Sequence, residues 1–217
     1  MDYAAARRNM VKNQVRTNKV TNPSLIEALE SLPREHFVPE ALAGVAYVDE
    51  ALPLSRGRYL LEPMVLALLL QHAEISPTDI VMEIAPGTGY STAVLARMAS
   101  TVVAIEADKA LAESATANLV DLGIDNAAIM TGPLAEGYKK QAPYNVIIIS
   151  GCVEEVPDSL MSQIADRGKL LAVVGSNGTP GKGTVFRKFG KSISSSEEFE
   201  AGTPMLPGFE RKSEFAL

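Results

Sequence analysis

Two glycines that follow a short apolar segment are the residues of this 217-residue chain whose spacing most clearly suggests chemistry. Residues 80–84 are apolar except for Glu83, and Gly87 and Gly89 follow shortly afterwards. Glycine has no Cβ, so it allows positive φ and lets the backbone approach a ligand closely. A buried strand that leads into such a turn and then a helix is where open α/β sheets bind nucleotide-like ligands. The loop is therefore a candidate cofactor-binding site.

The residues around the loop indicate which cofactor it binds. A dinucleotide-binding fingerprint would continue to a third glycine, but that position is Thr92. Glu106 follows the loop by roughly 20 residues, where an acidic side chain can accept hydrogen bonds from both ribose hydroxyls; a solvated carboxylate at a strand end is the alternative. A ribose without a pyrophosphate favours S-adenosylmethionine and disfavours a NAD-dependent dehydrogenase. Glu83 is expected to accept backbone N–H bonds from the loop, with direct ligand contact as the alternative.

The elements that must position these residues follow an alternating pattern. From Asp79 onward, short apolar runs alternate with helical patterns, which is typical of βαβ units and a parallel sheet. The prediction is an α/β, Rossmann-like fold: a mostly parallel, doubly wound sheet with N-terminal helices and a C-terminal antiparallel hairpin. The predicted strands are 80–84, 101–106, 127–130, 145–150 and 169–174, the helices 91–98, 110–122 and 158–164, and the hairpin strands 184–189 and 193–199.

Prolines mark the helices that precede the sheet. Asn22 and Pro23 indicate an N-cap followed by proline at the first helical position, and apolar residues at helical spacing come next. Pro33 is expected to end this helix and Pro63 to begin the following one. The segment 204–209 is expected to be extended and to pack by its apolar side chains.

Composition limits the domain count, the partners and the compartment. With 47% hydrophobic residues the chain can bury one sizeable core. We expect one domain over 1–217, made of N-terminal helices and a lid (1–60), a cofactor-binding core (61–175) and C-terminal strands and tail (176–217). A net charge of −6 disfavours nucleic acid and anionic membranes as partners. A single cysteine and no N-terminal signal pattern favour a cytoplasmic protein; no spacing indicates a metal site, and the oligomeric state stays open.

Several separated motifs resemble those of the protein-L-isoaspartate O-methyltransferases, in the family's order and up to about Gly175. They are Leu-Pro-Arg-Glu-His-Phe-Val-Pro (32–39), Ala-Tyr-Val-Asp (46–49), Leu-Pro-Leu (52–54), the glycine loop (83–90), Ile-Ile-Ile-Ser (147–150) and residues 157–163. The resemblance implies a class I methyltransferase that transfers a methyl group from S-adenosylmethionine to the side-chain-derived carboxylate of an isoaspartyl residue in a peptide or protein. It also implies cofactor contacts from Glu83, Ala85, Gly87, Gly89, Tyr90, Glu106, Pro133 and Leu134.

Such a transfer needs no obvious catalytic base. A carboxylate of ordinary pKa is ionised at neutral pH and can attack the sulfonium methyl group directly. What remains for the protein is in-line alignment of the two reactants in a closed site. The catalytic residues are therefore left unassigned, and His36 is expected to be structural or solvated.

The segment expected over the methyl-transfer centre departs from the family pattern. Where the family ends a glycine-rich stretch with Thr-Ile-Ser-x-Pro, this chain has Tyr-Leu-Leu-Glu-Pro at 59–63. Leu61 replaces the serine, so it cannot donate a hydrogen bond to a substrate. Tyr59, Leu60, Leu61 and Ser150 are the expected substrate contacts. For Ser150, capping of the strand end is the alternative.

Two further departures lie in the cofactor region. Pro133 stands where the family has an aspartate that accepts a hydrogen bond from the adenine amino group, although Leu134 can still pack on the adenine. Ala85-Pro86 replaces the family's Gly-Thr ahead of Gly87. Two alternatives to the isoaspartate reaction therefore stay open. The chain could methylate another carboxylate or a small molecule, or it could be an inactive family member that acts as a binding or regulatory protein.

Overall fold

The computed structural model describes residues 1–176 and 178–210. The strands of this part of the chain are β1 (Leu52–Pro53), β2 (Tyr59–Leu60), β3 (Ile80–Ile84), β4 (Thr101–Glu106), β5 (Ala127–Thr131), β6 (Tyr144–Val153), β7 (Ile164–Val174), β8 (Gly181–Phe189) and β9 (Ser192–Ala201). β1 and β2 pair with each other as a small antiparallel hairpin. The other strands form one seven-stranded sheet in the order β5-β4-β3-β6-β7-β8-β9.

Helices precede the sheet and connect several of its strands. The α-helices are α1 (Tyr3–Met10), α2 (Pro23–Ser31), α3 (Pro63–Ala73), α4 (Tyr90–Ala96), α5 (Lys109–Asp121) and α6 (Asp158–Met161). A π-helical turn lies at Val11–Val15, and 3₁₀ turns lie at Arg16–Asn18, Arg34–Phe37, Glu40–Val45, Leu134–Glu136 and Lys139–Gln141.

The sheet confirms the Rossmann-like prediction. Strands β5, β4, β3, β6 and β7 pair in parallel, and β8 and β9 add an antiparallel hairpin at one edge. The chain order leaves β3 in the middle, with β4 on one side and β6 on the other. The direction of winding therefore reverses at β3, and the crevice beyond its carboxyl end is the place where such sheets bind ligands.

One predicted helix is too long. The helix expected at 158–164 ends at Met161, and Ile164 already belongs to β7, where it pairs with Tyr144. Leu160 and Ile164 have helical spacing and are both buried, but they belong to different elements. Leu160 packs from the helix, whereas Ile164 packs from the sheet. Spacing alone cannot distinguish these two forms of burial.

The helix that follows Asn22 begins and ends as predicted. The Asn22 side chain accepts a hydrogen bond from the Leu25 N–H at 3.1 Å, with Pro23 as the first helical residue. The helix ends at Ser31, since Leu32 is extended ahead of Pro33. Pro63 likewise begins α3.

Alternate residues of the central strands separate the core into two hydrophobic clusters. In β3, Val81 belongs to the cluster that contains α1, α2 and α3, while Met82 and Ile84 belong to the cluster on the other face. This follows from the two-residue period of side chains along a strand. The N-terminal helices thus share their core with the sheet. Within residues 1–176 and 178–210, no helix is long and apolar enough to cross a membrane.

The segment after β9 packs against the carboxyl end of β6. Leu206 and Phe209 are buried in the second cluster, and Met205 forms a parallel bridge with Cys152. The Leu206 N–H donates to the Cys152 carbonyl at 2.7 Å, and the Cys152 N–H donates to the Pro204 carbonyl at 3.1 Å. The apolar packing predicted for 204–209 is confirmed by Leu206 and Phe209. The extended conformation holds only up to Leu206, because Pro207 and Gly208 form a turn in which Gly208 has a φ of 91°.

Candidate active site

The glycine loop lies at the carboxyl end of β3, in the crevice where the winding reverses. Ala85, Gly87 and Gly89 all have positive φ, at 68°, 60° and 93°. Gly89 lies just before α4 and packs closely against α5, since a Cβ on Gly89 would lie 3.1 Å from the Ala115 Cβ. The turn therefore requires left-handed backbone at three positions, one of which is filled by alanine.

Glu106 holds the loop from the end of the neighbouring strand β4. Its side chain is fully buried, and Oε2 accepts the Gly87 N–H at 3.0 Å. Oε1 accepts the N–H groups of Ala107 and Asp108 at 2.9 and 3.1 Å. The alternative of a solvated carboxylate is therefore wrong for this residue. Backbone donors compensate for the hydration that Glu106 lost on burial.

Glu83 does not hold the glycine loop, contrary to the expectation from the sequence. It is fully buried and accepts hydrogen bonds from three hydroxyls: Ser91, Thr92 at 2.6 Å and Ser150 at 2.6 Å. Burial raises the pKa of Glu83, against the lowering effect of these hydroxyls. The reason for the correction is geometric. The side chain meets the first turn of α4 and the end of β6, while Glu106 meets the loop backbone.

Arg58 completes the environment of Glu106, and sequence reasoning missed it. Its guanidinium is almost fully buried, with Nη1 2.6 Å from Glu106 Oε1 and Nη2 2.8 Å from the Ala85 carbonyl oxygen. The β1–β2 hairpin carries Arg58 over the loop, where a Cβ on Gly87 would meet Leu54 Cδ1 at 2.7 Å. The only signal in the sequence was an arginine in the segment expected to cover the site.

Three of the four expected substrate residues, Tyr59, Leu61 and Ser150, border one small cavity. Leu60 and Leu61 are buried, while Tyr59 is 37% exposed. Leu61 and Ser150 border a partly open cavity of about 10 Å³, whose other lining residues include Arg58 and Leu206. Small-molecule sites have volumes of roughly 300 Å³ or more. In this conformation the space between Leu61 and Ser150 is therefore too small for a ligand.

The remaining expected cofactor residues are spread around the crevice. Pro133 is exposed, and Leu134 is buried in the second cluster at the start of a 3₁₀ turn after β5. The Tyr90 ring is fully buried, edge-on to Phe37 at 5.3 Å and 4.9 Å below the Arg34 guanidinium carbon. The Tyr90 side chain therefore supports the packing of the N-terminal segment on α4.

The cysteine and the histidines lie outside this arrangement. Burial raises the pKa of the Cys152 thiol to about 11, so it stays protonated at neutral pH. His36 lies 3.7 Å from Asp121, and His72 lies 3.9 Å from Glu198. In the described residues, none of these side chains has a hydrogen bond or ion pair with Glu106 or the glycine loop. The site thus consists of carboxylates, hydroxyls, backbone N–H groups and one guanidinium.

Comparison with models of protein families identifies the family of this chain. The model of the family described as Protein-L-isoaspartate(D-aspartate) O-methyltransferase (PCMT) matches residues 5–200. The chain belongs to the protein-L-isoaspartate O-methyltransferase family. The resemblance drawn from the sequence motifs is confirmed, and as a member of this family the chain is a methyltransferase.

Individual relatives match the chain over most of its length. The protein-L-isoaspartate O-methyltransferase of Methylorubrum extorquens (strain PA1) is 38% identical over 186 residues, which are 86% of this chain and 80% of the relative. The enzyme of the same name from Protochlamydia amoebophila (strain UWE25) is 37% identical over 166 residues, 76% of this chain and 79% of the relative.

Two solved structures show the same fold. A protein-L-isoaspartate O-methyltransferase has a TM-score of 0.81 at 23% identity and covers 94% of this chain and 67% of its own. A Plasmodium falciparum protein described as a beta-aspartate methyltransferase (PCMT), solved with S-adenosyl-L-homocysteine, has a TM-score of 0.76 at 17% identity and covers 95% of this chain and 98% of its own. The methyltransferase fold predicted from the sequence is therefore present.

Proposed function

We propose that this chain uses S-adenosylmethionine to methylate the carboxylate of an isoaspartyl residue in a peptide or protein. The family match over residues 5–200 carries the proposal, since relatives of that name are 37–38% identical to most of the chain. The buried Glu106 beside a glycine loop supports the same cofactor from the chain's own chemistry.

The donor and acceptor groups of the crevice fit this cofactor. Glu106 is positioned by backbone N–H groups at the end of β4, where its carboxylate can accept ribose hydroxyls. Gly87 has a φ of 60°, a left-handed conformation that suits glycine, and its missing Cβ leaves the room that Leu54 Cδ1 fills. Leu134 would pack beside the adenine, and Pro133 leaves the adenine amino group without a side-chain acceptor. Glu106, the loop and Leu134 would therefore hold the group.

The bound cofactor would supply a methyl group on a positively charged sulfur. The chain's own residues would orient the reactants and exclude water from the site. The substrate carboxylate is ionised at neutral pH, so no side chain needs to take a proton from it. Leu61 is a buried apolar residue that borders the cavity beside Ser150 and excludes water there, while the adjacent Leu60 is buried in the hydrophobic core. Ser150 donates its hydroxyl to Glu83 and thereby links β6 to β3. We infer that these residues act by orienting the two reactants.

A second candidate function rests on Leu61. The residue is 4% exposed, and it borders the small cavity beside Ser150 where the family pattern has a serine. A leucine offers an apolar surface in place of a hydrogen-bond donor. This favours, as the alternative, a methyl acceptor other than an isoaspartyl residue, such as another carboxylate or a small molecule.

Labelled S-adenosylmethionine separates the two functions. Purified protein is incubated with an isoaspartyl peptide or with its normal aspartyl twin, and methyl incorporation is counted. We expect incorporation into the isoaspartyl peptide alone. Incorporation into neither peptide, by a protein that binds the cofactor, would contradict the isoaspartyl function and favour the second candidate.

A pair of variants tests the site in the same assay. Glu106→Ala removes the ribose acceptor, so we expect incorporation at low cofactor concentration to fall by about tenfold or more, the loss expected for a hydrogen bond to a charged group. Glu113→Ala removes an exposed carboxylate from α5 and serves as the matched control. Equal activity of the two variants would show that Glu106 does not bind the cofactor.

A further inference from the structure

Arg34 is a fully buried cation whose hydrogen bonds go to main-chain carbonyls. It is 0% exposed, and none of the ion pairs in the described part of the chain includes it. Nε donates to the Ala46 carbonyl at 2.7 Å, and Nη2 donates to the Leu61 carbonyl at 2.6 Å. Burying a charge is costly unless hydrogen bonds replace its lost hydration. The guanidinium and these two carbonyls are therefore tied to one another in position.

One of the two carbonyls belongs to the wall of the cavity beside Ser150. Leu61 borders that cavity. It lies between β2, which ends at Leu60, and α3, which begins at Pro63, so neither element includes it. The N–H bond from Arg34 therefore fixes this residue from the protein interior, where no strand or helix does so.

The residue after Leu61 is held from a different direction. Glu62 accepts the Thr203 hydroxyl at 3.2 Å, and Thr203 borders the same cavity from the segment after β9. This side of the crevice is therefore assembled from distant parts of the chain. Within it, Arg34 supplies the bond to Leu61 and Thr203 supplies the bond to Glu62.

Arg34 also contacts the helix that follows the glycine loop. Its guanidinium carbon lies 4.9 Å from the centre of the Tyr90 ring, and Tyr90 is the first residue of α4, directly after Gly89. A guanidinium over an aromatic face is attracted by the ring quadrupole, more strongly when both groups are removed from water. One side chain thus connects the start of α4 with the main chain of Leu61.

The glycine loop itself is held by other groups. Glu106 accepts the Gly87 N–H at 3.0 Å, and the Ala85 N–H donates to the Ile105 carbonyl at 2.8 Å. Both bonds join the loop to β4, and neither involves Arg34. Loss of the Arg34 guanidinium would therefore release Leu61 and leave the loop attached to the sheet.

We propose that Arg34 is a positioning residue for methyl transfer: its guanidinium fixes the Leu61 main chain relative to α4 and so sets where the methyl acceptor lies against the cofactor. This role rests on the proposed function, because it concerns an acceptor beside Leu61 and Ser150. A misplacement of about 1 Å can lower the rate of an aligned reaction by about 10²-fold. Arg34 therefore acts on the rate of transfer, while the loop and Glu106 act on cofactor binding.

Three variants separate this role from a general loss of packing. R34M removes the guanidinium and keeps an unbranched side chain. R34K keeps the charge, but the compact ammonium of lysine lacks the planar fork that reaches two carbonyls. R7M is the matched control, because Arg7 is partly buried in the same N-terminal region and donates to Tyr47 at 3.0 Å and to the Ser31 carbonyl at 3.2 Å. None of its hydrogen bonds in the described residues reaches Leu61.

Steady-state methyl transfer from labelled S-adenosylmethionine to an isoaspartyl peptide measures the role. We expect R34M to have a kcat at least about tenfold below that of the wild type, with a KM for S-adenosylmethionine within about twofold of it. R34K should lose at least about fivefold in kcat, and R7M should stay within about twofold of the wild type. Calorimetric titration with S-adenosylhomocysteine counts the binding-competent fraction of each protein, so that kcat refers to folded protein. If R34M does not fold, R34K decides.

The other outcomes each contradict the role in a different way. A wild-type kcat in either folded Arg34 variant overturns it. Equal losses in R34M and R7M also overturn it, because loosening of the N-terminal region would then explain both. A KM for S-adenosylmethionine raised by about tenfold in R34M places Arg34 on the cofactor side and overturns it too.

The wild type distinguishes these failures from a failure of the proposed function. If it binds S-adenosylhomocysteine but methylates no isoaspartyl peptide, the proposed acceptor is wrong. The role of Arg34 then fails with it, before any variant is compared.

Discussion

At the scale of single residues, two buried carboxylates in neighbouring strands have different partners. Glu106 accepts backbone N–H groups and a guanidinium, whereas Glu83 accepts only side-chain hydroxyls in the described residues. Hydroxyl dipoles stabilise a charge less than an ion pair does. Burial therefore dominates at Glu83 and raises its pKa above the ordinary value of 4.5.

The raised pKa of Glu83 predicts a pH dependence of stability. The unfolded chain releases this proton at a lower pH than the folded protein does. Stability contributed by the group is therefore fully present below the unfolded pKa and declines as the pH rises through the folded pKa. We expect the free energy of unfolding of the wild type minus that of Glu83→Gln to fall as the pH rises from about 4 to about 7. Urea unfolding at constant ionic strength measures this difference.

The exposed Glu113 provides the control for this series. Its side chain is 69% exposed, so Glu113→Gln should show no comparable decline. A difference between the wild type and Glu83→Gln that stays constant over the same pH range would contradict the assignment of a raised pKa.

At the scale of elements, the β3–loop–α4 unit requires left-handed backbone where this chain has an alanine. Ala85 has a φ of 68° and its N–H donates to the Ile105 carbonyl at 2.8 Å, so the loop cannot relax without losing a bond to β4. A Cβ in this conformation contacts the backbone unfavourably. The position where the family pattern has glycine is therefore a strained one in this chain.

Replacing this alanine should stabilise the protein. We expect Ala85→Gly to raise the free energy of unfolding by about 1 kcal/mol, because the removal of the Cβ strain exceeds the entropy that glycine adds to the unfolded chain. Thermal and urea unfolding measure the change. The matched control is Ala93→Gly in α4, which should lower stability by about 1 kcal/mol, as glycine does within a helix. Destabilisation by both changes would contradict strain at Ala85.

At the scale of the whole molecule, the segment after β9 borders the crevice from the side of β6. Leu206 is 3% exposed and lies against Gly151, where a Cβ would meet the Leu206 Cβ at 2.9 Å. With Arg58 and Leu61 it borders the small cavity beside Ser150. Residues that are far apart in the chain therefore meet at the carboxyl end of β6.

Because Leu206 is buried, loss of its side chain is predicted to lower the stability of the protein. We expect Leu206→Ala to lower the free energy of unfolding by about 2 to 4 kcal/mol, through lost apolar burial and the cavity that remains. Val120→Ala removes an exposed side chain from α5 and should change stability by less than about 0.5 kcal/mol. Urea unfolding compares the two variants, and a cost for Leu206→Ala as small as that of the control would show that the segment is not packed as described.

The parallel sheet and its loop were predictable because their signals are local. Strand β3, the glycine turn and the cap at Asn22 each depend on residues within a few positions of one another. The carboxyl ends of parallel strands lie at one edge, so Glu83 and Glu106 were expected at the same crevice. The family motifs then indicated the cofactor and the reaction class, and the family match agrees with them.

The partners of those carboxylates depended on the tertiary structure. Arg58 and Glu106 are 48 positions apart, and Ser150 and Glu83 are 67 apart. They meet only because the hairpin lies over the loop and because β6 lies beside β3. The sequence by itself determined which strands carry acidic residues to the crevice, since strand periodicity and chain order are encoded locally. Only the tertiary structure decided that Glu106 holds the loop and pairs with Arg58, because hydrogen-bond partners are chosen by distance in space.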